Sequence, residues 1–272
     1  MCTPPTGESE RSSIKIEKRL ARTYNTPSYD DPYDVVRDYR RVQRAAANHP
    51  NKGSSALSNI VELPRGRIRG WIDDDADSMP DAVRAISVAQ NNGWLDPAGA
   101  TALALAALAG HLLGGGAITE RNYVPSVCAG RRVSLAAVEP VFQQLGVTTT
   151  RRHTEIDNRA SEILPAEHAS IVGRMMVAWG CPHGGRSELT SLPDVLNQLG
   201  AAGKTAFLEA YILHRGVNYP RKATSRLQGD QPQAFHQAIA ELIESVTGEQ
   251  AKADKRGVTV PAAAMRELGL DE

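Results

Sequence analysis

The sequence has little cysteine, no excess of charge and no long apolar run, and each shortage removes a class of function. Cys2, Cys128 and Cys181 are the three cysteines of 272 residues, far apart and odd in number. They suggest no disulfide framework and fit a reducing cytoplasm. Cys181-Pro182-His183 has no second ligand pair nearby, so the spacing of a zinc site is missing. Lys+Arg and Asp+Glu both number 31, so any basic surface that meets nucleic acid must be local. The most apolar stretch, Thr101 to Leu113, is too short to span a bilayer, and no apolar leader follows the first charges. The expectation is a cytoplasmic protein with no membrane partner.

What is present is an ordinary core-forming composition, 41% hydrophobic and 23% charged, long enough for two domains plus a tail. Residues 1–29 read as a flexible tail, because Met1 to Ser13 are rich in Ser, Thr, Pro and charge and do not repay the entropy of ordering. Residues 30–95 read as an all-α domain. Tyr33, Val35, Val36, Tyr39 and Val42 recur at helical spacing from Pro32 to about Ala47, with Asp30 or Asp31 placed to cap. From Ser54 to Ile72 the order is short helix, tight turn, second helix, with Pro64 where the second begins. Asp73-Asp74-Asp75-Ala76-Asp77 reads as a linker or as a cap for a helix from Pro80 to Gln90, and it lacks the ligand alternation, central Gly and terminal Glu of a calcium loop.

The Ser54–Ile72 pair resembles the helix-turn-helix of DNA-binding regulators. Its apolar face is Leu57, Ile60, Leu63, Ile68, Trp71 and Ile72, and the arginines of the second helix fall opposite Ile68 and Trp71. Arginine suits bidentate contact with guanine and phosphate, so the resemblance implies DNA contacts from Ser55, Arg65, Arg67 and Arg69. The alternative is a basic helix pair that only packs against the second domain.

Residues 96–272 read as α/β, more closely α+β, in two loosely similar halves, 96–200 and 201–272. The first half reads as helix (97–114), strands (about 117–133), helix (135–145), strand (147 to about 155) and helix (166–179). The second has a helix ending at Leu213, a strand from Val217, a helix from Pro232 to Val246 and a short strand at 258–260. The repeated order suggests a pseudo-symmetric αββαβα domain.

Leu108-Ala109-Gly110-His111-Leu112-Leu113-Gly114-Gly115-Gly116 and Leu208-Glu209-Ala210-Tyr211-Ile212-Leu213-His214-Arg215-Gly216 resemble the motif for which the LAGLIDADG homing endonucleases are named. The resemblance covers about residues 96–272. It implies two helices packed through small residues, their ends presenting carboxylates to the divalent metals that hydrolyse DNA. Aligned on Gly116 and Gly216, the acidic position falls on Gly115 and on Arg215, neither of which can bind a metal. No catalytic residue, metal or cofactor is therefore expected.

The resemblance then implies a DNA-binding saddle kept after cutting was lost, as in the WhiA-type regulators, with the helix-turn-helix at the opposite end. Saddle contacts are expected from Arg131, Arg132, Arg151, Arg152 and Arg159 in the first half and from Arg221, Lys222 and Arg226 in the second. Each phosphate neutralised adds about 0.9 to the salt slope. The expected function is a sequence-specific double-stranded-DNA-binding protein, a transcription regulator whose internal pseudo-symmetry allows it to act as a monomer. Its rivals are an active or residually active homing endonuclease using Glu120, Glu155 or Glu209, and a protein-interaction adaptor. Gly114-Gly115-Gly116 lacks the Lys-Ser/Thr of a phosphate loop. Lys255 to Leu270 is similar to the first half of an AbrB-type swapped hairpin, and reads as a closing strand and helix; the AbrB-like option implies dimerisation through the tail.

Overall fold

The computed structural model describes residues 7–73, 78–130, 132–156, 159–218 and 224–270. Most of the acidic run lies outside the described residues, with only Asp73 inside them. The chain is a mixed α+β protein, with helices throughout and two small antiparallel sheets. Among the described residues no helix is long and apolar enough to cross a membrane.

The flexible tail expected over 1–29 is corrected: Gly7–Arg22 forms helix α1. The polar first dozen residues hid the apolar spacing that follows, and Ile16, Leu20 and Ala21 are fully buried. Glu17, only 6% exposed, is buried with them. Its carboxylate accepts both terminal nitrogens of Arg40 (2.8 and 2.9 Å) and the hydroxyl of Tyr33 (2.8 Å). A buried carboxylate needs such partners, and here they tie α1 to the next helix. That helix, α2 (Tyr33–Asn48), starts where Asp31 accepts the Tyr33 amide at 3.0 Å. Helices α3 (Ser54–Val61) and α4 (Arg65–Ile72) follow, joined through Glu62, whose left-handed φ of 53° makes the tight turn. Leu57, Val61, Ile68 and Trp71 pack inward against α2, with Trp71 edge-on to Tyr39. Helix α5 (Asp81–Asn91) completes the bundle.

Helix α6 (Ala102–Gly115) opens the rest of the chain. It is followed by β1 (Gly116–Ile118), β2 (Pro125–Cys128), α7 (Leu135–Gln144), β3 (Thr149–Arg152), β4 (Glu162–Pro165) and α8 (Ala169–Ala178). A 3-10 turn at Asp194–Gln198 leads to α9 (Ala201–Arg215). Then come β5 (Gly216–Asn218), β6 (Ser225–Gln228), α10 (Gln233–Thr247), β7 (Lys252–Asp254), β8 (Gly257–Val260) and α11 (Ala262–Glu267). The strand orders are β1-β2-β4-β3 and β5-β6-β8-β7, so the second sheet repeats the order of the first. The expected αββαβα unit is one strand short: β4 and β7 match no expected strand, and β6 was not separated from the strand expected from Val217. Strands β4 and β7 are too short for an alternating pattern to stand out.

Helices α6 and α9 pack face to face, and glycine sets their distance. A Cβ on Gly110 would sit 2.3 Å from the carbonyl oxygen of Phe207 and 2.8 Å from Cβ of Ala210. One on Gly114 would sit 2.8 Å from Cβ of His214. No side chain fits at either place, so the backbones approach more closely than larger residues allow. The buried apolar side chains form one continuous core from Ile16 to Leu268.

Candidate functional site

Each helix of the close pair runs directly into the first strand of its sheet, α6 at Gly116 and α9 at Gly216. Two imidazoles lie in the contact: Nδ1 of His111 and Nε2 of His214 are 3.0 Å apart, their rings nearly perpendicular. One nitrogen donates to the other, which requires at least one ring to be neutral. Burial, and then the neighbouring His214, pulls His111 down to about 3. Burial, then Arg215 and Arg186, pulls His214 down to about 4.

Beyond the histidines, the helix ends are ringed by guanidinium groups. Arg186 donates to the carbonyls of Leu112 (2.8 Å), Leu113 (3.3 Å) and Gly116 (2.5 Å), capping the C-terminus of α6 where the helix dipole favours a cation. Burial, and then the charge of Arg215, pushes Arg186 below its ordinary value. Arg215 is the last residue of α9, and its Nε is buried with no hydrogen-bond partner among the described residues. Arg132 reaches the other helix end, with Nη1 3.5 Å from where a Cβ on Gly216 would lie, while it donates to the carbonyl of Leu270 at 3.1 Å. A Cβ at Gly115 would meet Nδ1 of His214 at 2.1 Å, so the present packing has no room for a side chain there. Among the described residues no group of three or more His, Cys, Asp and Glu could hold a metal ion.

Strand register assigns the sheet faces. Partners across an antiparallel ladder point to the same side. Ile118, Val127 and Ile163 face the helices, as do Leu227, Val258 and Val260. The outward faces carry Ser126, Thr150 and Arg152 in the first sheet and Arg226, Gln228 and Lys252 in the second. Arg151 is therefore corrected: it stands opposite Ile163 on the helix side and pairs with Glu139 of α7 at 3.0 Å. One residue of register separates it from Arg152, which faces outward opposite Glu162. Arg159 is exposed in the β3–β4 connection. Arg226 faces outward but is held by Asp254 and by Oγ1 of Thr259. Arg131, Arg221 and Lys222 lie outside the described residues.

In the bundle, Ser55, Arg65 and Arg69 are exposed, with Arg65 beside Oγ of Ser54 (3.3 Å) and Arg69 beside Asp73 (3.5 Å). Arg67 departs from the expectation. It is half-buried, its guanidinium 4.9 Å from the centre of the Tyr29 ring and within 3.3 Å of that hydroxyl, which in turn donates to Asp38. The reason is positional: α4 turns this one arginine toward the segment before α2, whereas its neighbours face water.

The chain matches no family model and no curated protein. Two groups of residues escaped the sequence reading. Arg37, Arg41 and Arg44 make an exposed row on α2; Arg37 pairs with Asp34 and Arg41 with Asp38, while Arg44 makes no ion pair among the described residues. Their helical spacing was available beside Val35, Val36 and Val42. Arg186 offered no such signal, because it lies in an irregular segment far along the chain from the helix end it caps.

Proposed function

We propose that this chain binds double-stranded DNA sequence-specifically without cutting it, as a transcription regulator with a helix-turn-helix joined to a degenerate LAGLIDADG-like core. The observation that carries this reading is the pair α6 and α9. They meet through Gly110 and Gly114, run straight into β1 and β5, and end on Gly115 and Arg215 where a cutting enzyme needs carboxylates. An element order of helix, two strands, helix, two strands, helix, occurring twice, supports the same core. So do the outward sheet faces, which carry Arg152, Arg226, Gln228 and Lys252 at register positions facing away from the helices.

In the bundle, the left-handed turn at Glu62 sets α4 with Arg65 and Arg69 in solvent. These side chains can reach base edges, while the arginine row of α2 is suited to phosphates. Base contacts select the sequence; the outward sheet faces follow the backbone.

A mobility-shift selection from random duplexes, run across a salt series, tests the reading. The expected result is an enriched sequence bound with steep salt dependence. Absence of any salt-sensitive duplex binding would sink it. A plasmid incubated with the protein and magnesium should stay uncut; a break at a defined site would establish the endonuclease instead.

A further inference from the structure

A cavity of about 730 Å³ opens at the end of the second sheet. One wall is the turn from β6 into α10, with Gln228 and Asp230; another is the two-residue tip of the β7–β8 hairpin, with Lys255 and Arg256. Arg226 and Asp254 complete the lining. Register puts Arg226, Gln228 and Asp254 on the outward face of the sheet, since Leu227 and Val258 take the helix side. The cavity therefore faces solvent.

Its walls are fixed before any ligand arrives. Nδ1 of His236 in α10 donates to the carbonyl of Asp254 at 2.9 Å. The Asp254 carboxylate accepts the main-chain amide of Arg256 at 2.7 Å and the guanidinium of Arg226, which also donates to Oγ1 of Thr259 at 2.8 Å. Asp254 thus ties β6, α10 and the hairpin tip together, and a site held in this way loses little freedom on binding.

The charges are not used up by these bonds. Three cationic and two carboxylate side chains line the cavity, leaving one positive charge in excess. Arg226 and Asp254 satisfy each other. Lys255 and Arg256 are exposed and make no ion pair among the described residues, and the same holds for Asp230. Two free cations at the hairpin tip suit an anion with several acceptors. A free carboxylate only accepts, so it suits uncharged donors such as hydroxyls. No apolar side chain lines the cavity, so an aromatic base or a greasy ligand gains little there. Its volume falls in the ordinary range for small-molecule sites, about 300–1,000 Å³.

We propose that this cavity binds a phosphorylated sugar, with the phosphate on Lys255 and Arg256 and the hydroxyls on Asp230. The site goes beyond DNA binding and does not depend on it, although its ligand would occupy part of the face proposed for the duplex.

The test uses the full chain with glucose 6-phosphate, fructose 6-phosphate, ribose 5-phosphate, inorganic phosphate and glucose, at matched ionic strength, read by calorimetric titration and by melting temperature. At least one sugar phosphate should bind and raise the melting temperature more than inorganic phosphate does, and glucose should do neither. Lys255→Gln and Arg256→Gln should each weaken that binding about tenfold or more. Both side chains are exposed and the bond to Asp254 comes from the Arg256 main chain, so the unliganded variants should melt at the wild-type temperature. Asp230→Ala should bind inorganic phosphate at least as tightly as the wild type and lose the preference for the sugar phosphate.

Equal binding of inorganic phosphate and of the best sugar phosphate would overturn the sugar assignment. No response to any of the three sugar phosphates overturns the site, as does a response unchanged in both glutamine variants. Glutamine variants that weaken duplex binding and leave the sugar phosphate untouched would make the hairpin tip a backbone contact, which removes the site and keeps the DNA reading. A wild type that binds a sugar phosphate through Lys255 and Arg256 and binds no duplex keeps the site and removes the DNA reading.

Discussion

A guanidinium already held by its neighbours reads bases poorly, and Arg67 is held by the ring and hydroxyl of Tyr29. Arg67→Ala is expected to cost about 1 kcal/mol of stability through the lost cation–π contact, visible as a lower melting temperature. Arg65→Ala and Arg69→Ala should leave the melt unchanged and relax sequence preference, each costing about 1–3 kcal/mol if it touches a base. Arg151→Ala should change duplex binding little and stability by at most about 1 kcal/mol, since its partner is a half-exposed Glu139. The histidine pair gives a pH dependence of definite sign. Both rings have folded values below the unfolded one, about 3 for His111 and about 4 for His214, so the unfolded chain binds more protons as pH falls through the window below about 6.5. Stability is complete above that value and is lost on acidification, by up to about 2 kcal/mol per ring at pH 5. Melting curves at pH 7.5 and 5 should show the drop, and His111→Leu should flatten it. Restoring carboxylates with Gly115→Asp and Arg215→Asp should lower the melting temperature, because Nδ1 of His214 stands 2.1 Å from the new Cβ at position 115. Adding His214→Ala should recover part of the loss.

Among the elements, the crossing of α6 and α9 depends most on single atoms. Gly110→Ala pushes a methyl into the Phe207 carbonyl, and should cost about 1–3 kcal/mol or more, read as a fall in the denaturation midpoint. The small residues that make this crossing were visible in the sequence, as were most helices, because long apolar patterns announce themselves. Tyr33 to Val42 marked α2, and the turn before Pro64 separated α3 from α4. What stayed hidden has physical reasons. Strands β4 and β7 are too short to display alternation; β4 takes its place between β2 and β3, and β7 through the tight hairpin to β8. Helix α1 was concealed by a polar first turn, although Ile16, Leu20 and Ala21 carry its buried face. In the site, the lack of a carboxylate at Gly115 and Arg215 was legible in the sequence. The approach of Arg186 was not, since it depends on how a loop after α8 folds back over α6.

Across the whole molecule, the bundle shares one buried core with the rest of the chain, and polar clasps add to that join. Arg174 of α8 lies between the rings of Tyr24 and Tyr123, 4.0 and 3.9 Å from their centres, and donates to the carbonyl of Thr23. Arg19 grips Asp194 with two hydrogen bonds. Arg174→Ala removes the stacked clasp and should cost roughly 2 kcal/mol. Calorimetry should show a lower transition temperature; a transition at the wild-type temperature would show that the clasp contributes nothing. The two sheets meanwhile sit on one continuous polypeptide, and their helix ends already differ, glycine on one side and arginine on the other. A protein of two identical subunits is bound to a palindrome, since every change in one half appears in the other. Here each half is free to drift alone, so under the proposed DNA-binding reading a duplex across both faces need not read the same on its two strands.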